Sequence, residues 1–158
     1  MSQFMTREGY DAIVAEIDHL WKVERPAITE SVYEAAQLGD RSENAEYIYG
    51  KRRIREIDGR LGYLRKKIDG VRVIELSEII PTKKIQFGAL VEVEDENGGR
   101  HTWRLVDKDE SDPKAGRISV QSPVGRALLG REAGDSFTLI LPKGDVDYEV
   151  LAVRYGAS

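Results

Sequence analysis

The sequence of 158 residues predicts an α+β protein with an N-terminal antiparallel coiled-coil hairpin and a small C-terminal antiparallel α+β domain. Apolar residues recur at helical spacing throughout the first half, whereas from Ile85 onward they alternate with polar residues as in strands. Only three of the 15 glycines precede residue 59, so turn residues concentrate in the second half. We expect the hairpin to span residues 1–76 with its tip at 39–44, and the C-terminal domain to span residues 82–158.

The first half predicts two long helices joined by a short turn. Thr6 is a suitable N-cap for the first helix, and Pro26 is expected to kink it. The segment from Leu38 to Asn44 is too short for anything but a chain reversal, so the helices should lie antiparallel. The second helix carries an a/d heptad pattern, in which two sets of residues each recur seven apart. These are Tyr47, Ile54, Leu61 and Ile68, with Gly50, Ile57, Leu64 and Val71 in the complementary positions.

The second half predicts about five short strands and one short helix. The strands are expected at residues 87–93, 102–106, 117–120, 136–141 and 147–155. A helix is expected at residues 123–129, starting at a proline. Residues 94–99 have hairpin-turn chemistry. Residues 107–116 are interpreted as a solvated polar loop.

The formal net charge of −4 argues at first against a nucleic-acid binder, but the charge is unevenly distributed. Residues 6–38 carry three basic and seven acidic side chains, whereas residues 45–72 carry nine basic and four acidic ones. The two helices could pair through these opposite charges. Four clustered cations, however, spread around more than half of the helix and cannot all reach one neighbour, so some should face outward and contact phosphates. They are Lys51, Arg52, Arg53 and Arg55.

Several classes of protein and site are excluded by what the sequence lacks. Without cysteine there is no disulfide, no thiolate zinc site and no cysteine nucleophile. No signal peptide or membrane span is predicted, which favours a cytoplasmic protein. His19 and His101 have no partner ligands nearby, and Trp21 and Trp103 occupy apolar positions where core packing explains them better than base stacking. The sequence offers no self-contained active site.

The predicted tip carries two acidic residues three apart, Asp40 and Glu43. One interpretation is structural: Asp40 as N-cap with Glu43 at the third helical position forms a capping box, after Gly39 has ended the first helix. The other is functional, because Mg²⁺ commonly binds through one or two protein carboxylates and completes its shell with water and substrate phosphates. Such a site would be incomplete until it met a second set of ligands.

Three separated segments resemble the bacterial Gre transcript-cleavage factors, and specifically the GreB type. They are MTREGYDAIVAEIDHLWKVERPAI at residues 5–28, LGDRSENAEYIYGKRRIREIDGRLGYL at residues 38–64 and SVQSPVGRALLGREAGD at residues 119–135. The resemblance covers nearly the whole chain and implies that the C-terminal domain has an FKBP-like fold. In this family that domain docks on RNA polymerase at the rim of the secondary channel, while the hairpin enters the channel and its tip reaches the active centre.

The resemblance also implies roles for individual residues. Asp40 and Glu43 would hold the second Mg²⁺ of the polymerase active centre, an ion that the free protein is not expected to bind tightly. The factor would not be an enzyme itself but would activate the polymerase's hydrolytic cleavage of backtracked RNA and so rescue arrested complexes. Ser42 could position a water. Arg41 and the four cations of the second helix would contact the extruded 3′ end of the RNA.

The segment that begins at Ser122 is the candidate for polymerase docking, through Ser122, Pro123, Arg126 and Leu128, although Leu128 could equally be a core residue. Neither a membrane nor a small-molecule substrate is expected as a partner. One alternative function is a secondary-channel regulator or inhibitor without cleavage activity. Another is an FKBP-like isomerase or chaperone, which is disfavoured because no aromatic proline pocket can be identified in the predicted strands.

Overall fold

The computed structural model describes residues 3–39 and 44–157. Within this part of the chain, residues 10–71 form one compact unit, and residues 72–157 together with 3–9 form another. The division lies at residue 71 rather than between 76 and 82, and the first strand groups with the C-terminal unit. The predicted combination of an N-terminal helical hairpin with a C-terminal sheet domain is confirmed.

Four α-helices and seven β-strands are assigned in the described residues. The helices are α1 (Arg7–His19), α2 (Arg25–Ala36), α3 (Ala45–Gly70) and α4 (Pro123–Leu128). The strands are β1 (Gln3–Thr6), β2 (Val71–Ile74), β3 (Leu90–Asp95), β4 (Arg100–Val106), β5 (Arg117–Ser119), β6 (Ser136–Leu139) and β7 (Val146–Arg154).

The first helix of the hairpin runs from Arg7 to Ala36, with a π-helical segment at Leu20–Glu24 between α1 and α2. Thr6 is its N-cap as predicted, since the Thr6 hydroxyl accepts a hydrogen bond from the Gly9 amide at 3.1 Å. Pro26 has no amide hydrogen, and its ring would collide with the carbonyl four residues earlier in a regular α-helix. The wider π turn, in which the Arg25 amide donates to the Leu20 carbonyl, lets the helix continue past the proline.

The seam between the two helices follows the predicted heptad pattern. Ile57 and Leu64 of α3 are fully buried and Leu61 is 2% exposed, and burial of each such side chain contributes about 1.5–3 kcal/mol. Gly50 is buried as well, and a Cβ at this position would lie 2.4 Å from a methyl group of Val32. The missing side chain therefore lets the helices approach closely in the half of the hairpin that leads to the tip.

The C-terminal unit contains a five-stranded sheet in the order β5-β4-β3-β7-β6. Its core comprises side chains from the inner sheet face and α4, including the fully buried Val91, Val93, Leu105, Leu128 and Val150. The sheet is antiparallel except for the edge pair of β4 and β5, which is parallel. The segment between those two strands carries short 3-10 turns at Lys108–Glu110 and Pro113–Ala115, and it returns the chain to the level where β4 began.

The interpretation of residues 107–116 as a solvated loop is wrong for two of its residues. Asp107 is 2% exposed and caps the first 3-10 turn. The Glu110 carboxylate accepts hydrogen bonds from the Thr6 amide at 3.1 Å and from the Thr6 hydroxyl. Burial raises the pKa of Glu110 above the ordinary glutamate range. Gly9 lies beside it, and a Cβ at this position would lie 2.3 Å from the Glu110 side chain, which would then have to shift.

Candidate functional site

The predicted tip residues Asp40, Arg41, Ser42 and Glu43 lie outside the described residues. The structure does describe the start of the helix that follows them. Helix α3 begins at Ala45, and Asn44 is its N-cap, with its side-chain oxygen accepting from the Tyr47 amide at 3.2 Å. The cap of α3 is thus supplied by Asn44, whereas the predicted capping box of Asp40 with Glu43 lies outside the described residues. Neither acidic residue is required for that task.

Asn44 also contacts the first helix. Its side-chain amide donates to the Ala35 carbonyl at 2.7 Å, in the last turn of α2. Ala35 is itself 1% exposed. One side chain thus joins the end of α2 to the start of α3 across the chain reversal. Asn44 was not predicted as a cap, because the spacing of Asp40 and Glu43 matched a capping box. Asparagine directly before a helical pattern is nevertheless a strong N-cap signal.

A pair of substitutions separates the two hydrogen bonds of Asn44. Asn44→Ser is expected to keep the cap of α3, since serine is an equally good N-cap, and to lose the bond to Ala35 because its side chain is shorter. We expect a loss of about 1 kcal/mol in the free energy of unfolding for Asn44→Ser and about 2 kcal/mol for Asn44→Ala, which loses both bonds. Chemical denaturation followed by helical circular dichroism measures both losses. Wild-type stability in Asn44→Ser would show that the bond to Ala35 contributes nothing.

The predicted basic cluster divides into free and paired side chains. Lys51, Arg52 and Arg55 are exposed, and none has a hydrogen-bond or ion-pair partner among the described residues. Arg53 instead lies 2.5 Å from Glu24 and 3.2 Å from Glu56. Its pKa is raised, chiefly by the hydrogen bond to Glu24. Of the four cations of the predicted cluster, three are therefore available to a phosphate backbone.

Opposite charges pair across the hairpin, as the helix charges had suggested. Arg60 of α3 bonds Glu16 with two contacts, at 2.7 and 3.0 Å. Arg25 and Asp58 form a pair of the reverse polarity, with contacts at 2.7 and 3.2 Å. The Arg25 hydrogen bond holds the pKa of Asp58 below its ordinary range. These pairs join the two helices at two levels of the hairpin.

The predicted docking segment is helix α4 with its cap. Ser122 is the N-cap, accepting from the Gly125 amide at 3.0 Å and donating to the Ser119 carbonyl at 2.7 Å. Pro123 and Arg126 are exposed. Leu128 is fully buried in the core of the C-terminal unit, so its assignment to a docking surface is wrong. The adjacent Leu129 is 39% exposed and is the apolar side chain available to a partner.

The two tryptophans have different environments. Trp103 is partly buried and packs against the core of the C-terminal unit, as predicted. The core position predicted for Trp21 is wrong, because its side chain is 50% exposed. The guanidinium groups of Arg25 and Arg65 lie over its ring, at 5.6 and 5.2 Å from the ring centroid. The prediction relied on regular helical spacing, whereas the π-helical segment at Leu20–Glu24 changes the directions in which the side chains around it point.

The described residues contain no cluster of three or more His, Asp or Glu side chains placed to hold a metal ion. His101 lies 3.1 Å from Asp95 and stacks on Trp103, so its contacts are structural. That hydrogen bond lowers the pKa of Asp95. Within residues 3–39 and 44–157, no helix is long and apolar enough to cross a membrane.

Comparisons with known proteins identify the family. Residues 3–73 match the family model described as transcription elongation factor, N-terminal, and residues 80–155 match the one described as transcription elongation factor, GreA/GreB, C-term. Transcription elongation factor GreB of Yersinia pestis is 46% identical over 154 residues, covering 98% of this chain and 90% of that protein. GreB of Pseudomonas putida is 45% identical over 157 residues, covering 98% and 95%.

Solved structures give more distant matches. The crystal structure of the GreA factor homolog 1 protein of Thermus thermophilus covers 98% of this chain and 99% of its own, at 24% identity and a TM-score of 0.44. The sequence matches decide the assignment, since both family models together span most of the chain and the curated relatives align along almost its full length. The chain belongs to the GreA/GreB family of transcription elongation factors and is of the GreB type.

Proposed function

We propose that this protein binds RNA polymerase, inserts its hairpin into the secondary channel and stimulates the polymerase's own cleavage of backtracked RNA 3′ ends. Membership of the GreB type supports the partner and the process. The observation that carries the cleavage role is the capping of α3 by Asn44. Because α3 has Asn44 as its cap, the carboxylates of Asp40 and Glu43, which lie between α2 and α3 in the sequence, are proposed to serve a task outside the protein. Such a factor acts in the cytoplasm, with the polymerase.

The donor set at the tip fits Mg²⁺. Asp40 and Glu43 would offer hard carboxylate oxygens, which this ion prefers, and two such groups suffice when water and phosphate complete the shell. When bound in a two-metal site, the ion activates the attacking water and stabilises the developing charge. Asp40 and Glu43 would hold it in place, and Ser42 would orient the water. All other ligands would come from the polymerase, so the protein itself is not a complete enzyme.

The free cations of α3 would position the RNA. Lys51, Arg52 and Arg55 are exposed on the half of α3 that leads to the tip. Contacts from such side chains to phosphates fix the strand without reading its sequence. Arg41 lies beyond the described residues and is proposed as a further phosphate contact. Arg53 would contribute less, since its guanidinium group already bonds Glu24 and Glu56.

Neutralising the three free cations is expected to slow cleavage most in complexes with long extruded RNA. We expect Lys51→Ala, Arg52→Ala and Arg55→Ala together to reduce the cleavage rate of such complexes about tenfold, because several phosphate contacts are lost. Rates are measured on complexes backtracked by one nucleotide and by several. Lys66→Ala is the matched control, since Lys66 is also exposed on α3 but lies toward its far end. Equal losses in short and long backtracks would contradict the role of the cluster.

The C-terminal unit would dock on the polymerase through the surface of α4. Ser122 would act indirectly, since its side chain is occupied in capping the helix. Pro123 and Arg126 are exposed and would contact the polymerase, with Leu129 in place of the buried Leu128. Gly125 cannot carry a side chain, because a Cβ would lie 2.0 Å from the Ser119 carbonyl oxygen.

A cleavage assay on purified stalled elongation complexes tests the proposed function. RNA cleavage is measured with and without the protein across a series of Mg²⁺ concentrations. We expect acceleration that is largest at limiting Mg²⁺, because the factor supplies ligands for the weakly held ion. No acceleration at any concentration would overturn the proposal and would favour a channel-binding regulator without cleavage activity.

A further inference from the structure

Helix α1 belongs to both compact units of the chain. Residues 3–9 group with the C-terminal unit, whereas residues 10–71 form the hairpin unit. Because α1 runs without a break from Arg7 to His19, its first turn lies in the C-terminal unit and its remainder in the hairpin. Whatever holds that first turn therefore acts on the helix with which the hairpin begins.

The start of α1 is held by Glu110, which lies in the 3-10 turn at Lys108–Glu110. The Glu110 carboxylate accepts hydrogen bonds from the Thr6 amide at 3.1 Å, from the Thr6 hydroxyl and from the Asp107 amide at 3.3 Å. Thr6 is 4% exposed and Asp107 is 2% exposed. Loss of the carboxylate would leave these donors unpaired away from water, which is costly.

This arrangement resembles a capping box whose acidic member comes from a distant part of the chain. In the usual box, a Glu or Gln at the third helical position bonds the amide of the N-cap residue. Thr6 is the N-cap of α1, so the third helical position is Gly9. Gly9 has no side chain, and a Cβ there would lie 2.3 Å from the Glu110 side chain. Glu110, 104 residues from Thr6 in the chain, therefore occupies the place of the missing side chain.

We propose that Glu110 is a positioning residue for RNA cleavage, because it ties the start of α1 to the unit that docks on the polymerase. The inference rests on the proposed function, in which the C-terminal unit docks and the hairpin carries the acidic tip. A glutamate at position 9 would cap the helix as well. Only a residue of the C-terminal unit can cap α1 and also hold it on the docking unit.

The tie should affect the rate of cleavage more than the binding of the factor. A misplacement of about 1 Å that originates far from the reacting groups can cost roughly 100-fold in rate. Docking through α4 does not involve Glu110, so the affinity for polymerase should not change. Loss of the tie should therefore lower the cleavage rate at saturating factor, which separates it from a docking contact.

The experiment compares Glu110→Ala, Glu110→Gln and a double variant that combines Glu110→Ala with Gly9→Glu. In the double variant, the new glutamate enters the space that the Glu110 side chain leaves and rebuilds the cap within α1, but it does not rebuild the tie. Glu110→Gln keeps the length of the side chain and an acceptor for the Thr6 amide. Each variant is assayed in stalled elongation complexes for the cleavage rate at saturating factor and for the affinity for polymerase.

We expect Glu110→Ala to lower the saturating cleavage rate about 10- to 100-fold at unchanged affinity for polymerase. Glu110→Gln should keep most of the rate. The double variant should recover the stability of the wild type toward unfolding, yet it should cleave as slowly as Glu110→Ala. Hydrogen exchange in the free protein checks the tie directly, since the Thr6 amide should exchange faster in Glu110→Ala.

A matched control is available in the same turn of α1. Arg7 bonds Glu75 of the C-terminal unit at 2.8 Å, and the two side chains are 49% and 40% exposed. Exposed ion pairs of this kind contribute little to stability. Glu75→Gln should therefore leave both the cleavage rate and the affinity for polymerase close to those of the wild type.

Three results would overturn the inference and leave the proposed function intact. The first is a wild-type cleavage rate with Glu110→Ala. The second is recovery of the rate in the double variant, which would show that Glu110 acts only as a helix cap. The third is a loss of polymerase affinity that fully accounts for the slower cleavage, which would make Glu110 a docking residue. Absence of stimulation by the wild type would overturn the proposed function and this inference together.

Discussion

Changing Asp40 to Asn and Glu43 to Gln together is expected to abolish stimulation of RNA cleavage, with a rate loss of at least about 100-fold. Loss of even an outer partner of a metal ligand costs roughly 10- to 100-fold, and here both proposed carboxylate ligands lose their charge. Binding to polymerase should remain, because neither residue belongs to the proposed docking surface of α4. The measurement is the cleavage rate in a stalled complex at saturating factor, together with the affinity for polymerase.

The single substitutions of the two acids, together with Ser42→Ala, test the role of each tip residue separately. Each of Asp40→Asn and Glu43→Gln should retain partial activity that recovers as Mg²⁺ is raised, since one ligand remains. Ser42→Ala should reduce the rate less, because its proposed role is to orient water. Cleavage at the wild-type rate with the double variant would show that neither Asp40 nor Glu43 takes part in the reaction.

The second large effect is expected at adjacent leucines of the C-terminal unit. Leu128 is fully buried, so Leu128→Ala should lower the free energy of unfolding by about 2–5 kcal/mol through lost burial and a cavity. Leu129 is 39% exposed, so Leu129→Ala should leave stability nearly unchanged. Denaturation followed by tryptophan fluorescence in a Trp21→Phe background reports on this unit, because Trp103 packs against its core.

The two leucine substitutions also distinguish a loss of folding stability from a loss of polymerase binding. Leu129→Ala is expected to weaken polymerase binding about fivefold, as for truncation of one interface side chain. Arg126→Ala should act in the same direction, since its side chain is exposed on the same short helix. Normal polymerase binding by both variants would show that α4 is not the docking surface. A stable Leu128→Ala variant would contradict the core assignment.

The hairpin could be predicted from the sequence because its signals are local. Heptad spacing places Ile57 and Leu64 in the seam, and a loop of a few residues forces the helices antiparallel. Thr6 was identified as a cap for the same reason. The pairing of Arg53 with Glu24 was not predictable, because the two residues lie 29 apart in the chain and meet only through the register between the two helices.

The C-terminal unit was predicted less completely, because its strand pairing and its buried residues depend on contacts between residues far apart in the chain. Period-two patterns locate strands but do not fix their partners, so the parallel pairing of β4 with β5 was missed. Leu128 and Leu129 are chemically identical, and only the packing of α4 on the sheet decides which is buried. The bond between Thr6 and Glu110 joins residues 104 apart in the chain, beyond any local pattern.

The π-helical segment at Leu20–Glu24 also sets the phase of the first helix. A π turn holds one residue more than an α turn, so every side chain after it is rotated by about 100° relative to an uninterrupted α-helix. The side chains of the first helix before and after this segment therefore follow two different helical phases. Deleting one residue from this segment would leave both helices intact as helices, yet it would turn Tyr33 and Ala35 away from the sides of the hairpin that they now occupy.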